Sequence, residues 1–189
     1  MTTDGLRFHG MEQPRPDQLT VRVDPARDHV QGDVSAEFTL VEFGDFECPF
    51  SAKAAVSVVR LKRQLGKRLC FVYRQFPLNH KHPHAQLAAE ASEAAGAQGW
   101  FWEMYALLFT HQRALERGDL VGYAERIGLD VERFTRELDD HAYEEAVRLQ
   151  AEGARLLGAT GTPAFFIDGR PYTGPYDPSD LMVALGASA

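Results

Sequence analysis

The stretch Leu40-Val41-Glu42-Phe43-Gly44-Asp45-Phe46-Glu47-Cys48-Pro49-Phe50-Ser51 decides the fold. Residues 38–43, Phe-Thr-Leu-Val-Glu-Phe, suit a largely buried strand, and residues 44–47 turn the chain. Proline fits the first position of a helix, where its missing N–H would have had no partner. Pro49 therefore predicts a helix start and makes Cys48 the N-cap residue. A sulfur there faces unpaired N–H groups and the positive end of the helix dipole, which stabilise a thiolate. The negative charges of Asp45 and Glu47 oppose this. Both carboxylates are expected to turn to water, leaving the helix end to prevail. Cys48 reads as a nucleophile rather than as an inert, apolar-packed thiol.

Outward from this turn, the helical pattern places Ala52, Ala55, Val56, Val59 and Leu61 near one face and stops at Gly66. Residues 68–76 then read as a second strand. Strand, helix, strand over about 40 residues is a βαβ unit, so these strands should run parallel. Cys70 opens the second strand, at the end of the sheet away from Cys48. Even ~4 strand residues amount to ~13 Å, beyond the ~7 Å that a disulfide tolerates between Cα atoms, so Cys70 reads as core. Upstream, residues 19–23 alternate like a short first strand, and residues 24–35, rich in Asp, Pro and Gly, read as a connection. Downstream, residues 84–157 are helical. They break at Gly99, resume with the bulky Trp100, Phe101, Trp102 and Tyr105, which read most simply as core with the lining of a substrate groove as the alternative, and carry caps expected at Asp119 and Asp130 with stops at Gly128 and Gly158. Residues 162–167 return to strand, Asp168-Gly169 marks a hairpin, and residues 177–185 form a last helix.

The segment Asp45-Phe46-Glu47-Cys48-Pro49-Phe50 resembles the active site of the thioredoxin superfamily in its DsbA-like branch. Members of that branch commonly read Asp-Phe-Glu-Cys-Pro-Phe-Cys or Asp-Phe-Glu-Cys-Pro-Tyr-Cys there. The chain is similar to bacterial DsbA-like domains, including those fused to sodium/proton antiporters. The resemblance covers about residues 30–187 and implies an α/β fold: a thioredoxin fold with a central mixed sheet flanked by helices. It places a helical insertion at about 79–157, while length and the polar residues 1–18 read as a single domain, 19–189, after an N-terminal tail, 1–18. It also implies roles. Cys48 attacks disulfides, with Pro49 and Phe50 beside the substrate. Pro163 is a cis-proline opposite Cys48, and the Thr162 backbone before it offers a strand edge to a substrate peptide. Glu42 is a buried acid that relays protons, its pKa raised by burial.

One position departs from the pattern: Ser51 stands where the branch has its second cysteine. Its hydroxyl can reach back toward the N-cap and donate to a thiolate. It cannot attack a mixed disulfide, so exchange would halt until an outside thiol resolves the adduct. Two origins for Ser51 stay open, a native serine and a replacement for a resolving cysteine. The implied function is that of a thiol-disulfide oxidoreductase or isomerase acting through Cys48 on protein, peptide or glutathione mixed disulfides. Glutathione is a candidate co-substrate, and no bound cofactor is expected. Two alternatives remain. One is a redox-inactive binding or regulatory module; the other is a glutathione-using transferase or isomerase resembling the kappa class, whose sites often use serine.

Composition sets the remaining bounds. The 189 residues are 44% hydrophobic and 25% charged with net charge −7, ordinary for one soluble globular domain. Acids and bases read as mixed along the chain, which argues against nucleic acid. No apolar run approaches the ~20 residues of a membrane span. Residues 1–18 are polar and carry Pro14 and Pro16, unlike a signal peptide, so a cytoplasmic location is expected. His80, His82 and His84 have metal-like spacing but no strand or helix geometry to aim them and no acidic companion nearby in sequence. They read as a loop and helix start, with no metal expected.

Overall fold

A computed structural model describes residues 21–187 of the chain. Its centre is a five-stranded mixed sheet: β1 (His29–Gln31), β2 (Phe38–Gly44), β3 (Leu69–Gln75), β4 (Ala164–Ile167) and β5 (Arg170–Tyr172), in spatial order β1-β3-β2-β4-β5. β2 and β3 run parallel with Phe38 opposite Leu69 and Gly44 opposite Gln75, and β1, β4 and β5 join antiparallel. The crossover between β2 and β3 is helix α1 (Pro49–Leu65). Pro49 opens it, and Gly66, at a positive φ of 54°, closes it by donating its N–H to Lys62.

The insertion comprises α2 (Ala85–Gly96), α3 (Phe101–Thr110), α4 (Arg117–Ile127), α5 (Val131–Asp139) and α6 (Glu144–Leu156), and α7 (Pro178–Ala184) follows the hairpin. Alternation along β2 and β3 divides the core in two. Phe38, Leu40, Phe71 and Tyr73 face the larger cluster, filled by α1, α2, α3, α4, α5 and α7. Val41, Phe43, Cys70 and Val72 face the smaller one, where Ala151 and Ala154 of α6 cover the sheet with Phe166 and Val21. The result is a thioredoxin fold of the DsbA type, a mixed sheet flanked by helices with a helical insertion.

Five local expectations change. The strand expected at residues 19–23 begins outside the described residues, as does the tail 1–18. Val21 is buried and donates its N–H to Gly169 at 2.9 Å, but residues 21–23 are not strand. The first described strand is His29–Gln31, inside the segment read as a connection, and it exists because β3 supplies a partner edge. On α1 the inward face is Ser51, Ala54, Ala55, Ser57, Val58, Leu61 and Leu65, whereas Val56 and Val59 are 54% and 46% exposed. Asp119 does not start α4; it sits one turn in and closes a capping box with the true N-cap, Glu116. Trp100, read as core, lies at the surface with 40% of its area exposed.

Candidate active site

Cys48 is the N-cap of α1, held in extended conformation at φ −73° and ψ 121°. Three hydrogen bonds, one from the backbone and two from the Gln112 side chain, fix the turn before it. The Cys48 N–H donates to the Asp45 carbonyl at 3.1 Å, and the Gln112 amide, from the segment after α3, donates to the carbonyls of Phe46 at 2.7 Å and Cys48 at 2.9 Å. The Cys48 side chain makes no capping bond to α1. Its thiol instead lies 3.4 Å from the Thr162 carbonyl, to which it donates. The N–H stabilisation expected at the helix end belongs to the thiolate; in the thiol form the proton turns to the Thr162 carbonyl and the sulfur makes no bond to the first turn of α1. Cys48 is 3% exposed, while Pro49 and Phe50 beside it are exposed, Phe50 by 56%.

The Thr162–Pro163 peptide is cis. It precedes β4, whose Ala164 pairs with Phe43 of β2, which brings the segment to the same end of the sheet as Cys48. The Thr162 hydroxyl is buried without a hydrogen-bond partner.

Ser51 is fully buried, one turn into α1. Its hydroxyl accepts the Asp45 N–H at 3.3 Å rather than reaching Cys48. Asp45 and Glu47 do not turn to water. The Asp45 carboxylate is buried and accepts from the N–H groups of Glu47 at 2.8 Å and Leu78 at 2.9 Å, with His82 Nδ1 at 2.8 Å. Glu47 accepts the His84 N–H at 2.7 Å and lies 3.0 Å from His84 Nδ1. The histidine run thus does have acidic companions, 37 residues away in sequence, and they tie the loop before α2 to the turn that carries Cys48. Among the described residues no group of three or more His, Cys, Asp or Glu side chains is placed to hold a metal ion.

Glu42 lies on β2 beneath this turn, between Tyr73 of β3 and Phe165 of β4. Neither carboxyl oxygen has a partner, and burial raises its pKa to about 8. The hydroxyls of Tyr73 and Tyr105 are likewise buried and unpartnered. Burial first and the Glu42 charge second push both phenols well above their ordinary range. Three unsatisfied polar groups at one place are unusual in a folded interior, where a buried polar atom without a partner costs about 1–3 kcal/mol. Cys70 pairs with Thr39 in the sheet register, nine residues before Cys48, and is fully buried. Burial, then the charges of Asp33 and Asp28, pushes its thiol up. Both cysteines are free.

Sequence reasoning missed Gln112, the two histidine–carboxylate links and the Tyr73–Tyr105 pair. The links join distant segments, and nothing local marks Gln112. The tyrosines carried a weak signal in that Tyr73 is a phenol in a buried run of β3.

Comparison with known proteins agrees with this fold. A family described as Thioredoxin matches residues 25–187. The sodium/proton antiporter NhaA 1 of Salinispora arenicola is 46% identical over 167 residues; the match covers 88% of this chain but 26% of that protein, so the chain spans about a quarter of that relative's length. Among solved structures, oxidised BdbD from Bacillus subtilis superposes with a TM-score of 0.79 at 19% identity, covering 89% of this chain and 96% of that one. A thioredoxin-like oxidoreductase from Silicibacter pomeroyi superposes with a TM-score of 0.76 at 26% identity, covering 86% and 92%.

Proposed function

The chain belongs to the thioredoxin family, and from that premise we propose that it performs thiol–disulfide exchange through Cys48 alone. The observation that carries this reading is the pairing of the Cys48 thiol, at the N-cap of α1, with the Thr162 carbonyl 3.4 Å away. A sulfur in that position has two states with different partners. As a thiol it donates to Thr162. As a thiolate it can only accept, and the free N–H groups of the first turn of α1 and the positive dipole end are the acceptors' counterpart next to it. Loss of the proton therefore frees the Thr162 carbonyl for a substrate backbone and arms the sulfur in one step.

In the proposed reaction the Cys48 thiolate attacks one sulfur of a substrate disulfide. A Cys48–substrate disulfide forms, the substrate's own S–S bond breaks, and the departing sulfur leaves as a thiolate that takes up a proton. Pro49 and the exposed Phe50 contact the substrate beside the new bond, and the Thr162 backbone pairs with it as an added edge. Glu42 supplies or accepts a proton for this step, since a carboxyl with a pKa of about 8 exchanges protons near neutrality. Ser51 has no sulfur, so the adduct waits for an outside thiol such as glutathione. The substrates are protein or peptide disulfides and glutathione mixed disulfides.

The 3% exposure of Cys48 favours a second reading, a binding module that keeps the fold without the reaction. One experiment separates the two. The protein is incubated with oxidised glutathione and its cysteines are mapped by mass spectrometry. Exchange predicts one glutathione on Cys48 and none on Cys70; an unmodified Cys48 after prolonged incubation selects the binding module.

A further inference from the structure

Between Pro49 and Arg68 the sequence carries Lys53, Arg60, Lys62, Arg63, Lys67 and Arg68 and no acid, while all 27 acidic residues lie elsewhere. Averaging over the chain hides this block, which coincides with α1 and the turn after it. Some of the charges are engaged locally: Arg68 pairs with Glu37, and Lys62 donates to the Gln31 side chain. Among the described residues, no carboxylate lies within ion-pair distance of Lys53, Arg60 or Arg63.

These three cations share one exposed stripe of α1 with Phe50 and Val56, since steps of three and four residues stay on one helix face. The Lys53 ammonium sits 5.7 Å from the centre of the Phe50 ring. Alongside the stripe, between α1 and α3, runs a groove of about 460 Å³ lined by Ala52, Ala55, Val59, Tyr105 and Phe109 together with Arg60 and Arg63. The stripe starts at the residues next to Cys48 and leads away along the same helix.

We propose that this stripe is a docking track for polypeptide substrates that carry acidic side chains on one side of their reactive cysteine, with apolar side chains between them. The proposal rests on exchange at Cys48 and names the substrate class of that site. Helix rise puts Lys53, Arg60 and Arg63 about 8, 18 and 22 Å along the axis from Cys48. An extended peptide advances about 3.3 Å per residue, so the acids it offers fall about two, five and seven residues from its cysteine. Apolar residues between them meet Val56 and the groove. A single line of cations that starts about 8 Å from the nucleophile and borders an apolar groove fits a chain. A bilayer would call for a broad basic plane and would bring no disulfide to Cys48.

Two readouts on the full chain test this. The first is fluorescence anisotropy of labelled peptides with serine in place of cysteine, carrying either aspartates or lysines at those three positions and leucines between. The second is the rate of thiol release when the same peptides present their cysteine as a mixed disulfide with 5-thio-2-nitrobenzoate. At low salt the acidic peptide should bind and react about tenfold better than the lysine peptide. The ratio should fall toward one in high salt and in Arg60→Gln/Arg63→Gln. Equal behaviour of the two peptides, or a preference that survives in that variant, overturns the proposal. So does binding of phosphatidylglycerol vesicles without discrimination between the peptides, which would make the stripe a lipid-facing surface. Charge-dependent binding with no thiol release supports the track and overturns exchange at Cys48, so the two failures are distinguishable.

Discussion

Replacing Glu42 by glutamine should make the protein more stable, and by an amount that grows with pH. The carboxyl is fully buried with both oxygens unpartnered, and its pKa is raised from 4.5 to about 8 by loss of water. Below pH 4.5 the group is protonated whether the chain is folded or unfolded and contributes nothing to pH dependence. Between pH 4.5 and 8 the unfolded chain releases the proton while the folded protein keeps it. Folding then takes up a proton, and stability falls as pH rises by about 1.4 kcal/mol per unit. From pH 5.5 to 7.5 the wild type should lose about 2.5 kcal/mol through this group. Glu42→Gln keeps the shape and cannot ionise, so the loss is absent. Urea denaturation at half-unit pH steps on both proteins isolates the effect, because every other titrating group cancels in the difference. The curves should diverge with the wild type falling away. A difference that stays flat to within about 0.5 kcal/mol, or that grows toward acid pH, would refute the claim of a buried, neutral carboxyl at the site. If Glu42 is also the proton relay, the variant should exchange disulfides more slowly while being more stable.

Asp45→Ala strips the partner from two N–H groups and His82 at once, and should lower the unfolding free energy by about 3–5 kcal/mol in urea, as breaking a buried charge network does; an effect under about 1 kcal/mol would show that water replaces it. Gly44→Ala drives a Cβ to 2.5 Å from the Tyr73 ring, and since that ring is fully buried the loss should be about 1–3 kcal/mol by thermal melting. Ser51→Cys should close an internal disulfide with Cys48, because residues three apart at a helix start approach within bridging range. Free-thiol counting after mild oxidation should then leave Cys70 alone, and two free thiols lost to intermolecular adducts would contradict it.

What the sequence made legible is what local chemistry decides. Pro49 after Cys48, Gly66 at a positive φ and Asp130 accepting the Arg133 N–H are all settled within one turn of chain, and they are where they were expected. The strand alternation of Phe38–Gly44 and Leu69–Gln75 set the βαβ unit in the same way. The readings that failed depend on partners far along the chain. His29–Gln31 is too short and too polar to announce itself and is strand because Phe71–Tyr73 lies beside it. Val56 and Val59 looked inward because they are apolar, yet α1 buries Ser51 and Ser57 instead, since geometry and not composition sets the face. The acidic turn at Asp45 and Glu47 and the histidine run at His82 and His84 each looked unpartnered until the fold joined them. Glu42 was legible as a buried acid and Tyr105 as core, whereas the meeting of Tyr105 with Tyr73 near Glu42 was not.

The account rests on Cys48 acting alone, and turnover tests that most directly. The rate at which the protein removes glutathione from a glutathionylated peptide, with reduced glutathione as the resolving thiol, should be measured for the wild type, Cys48→Ala and Cys70→Ala. The account predicts turnover that is lost in Cys48→Ala and kept in Cys70→Ala. Turnover that survives in Cys48→Ala, or none in the wild type, would contradict it.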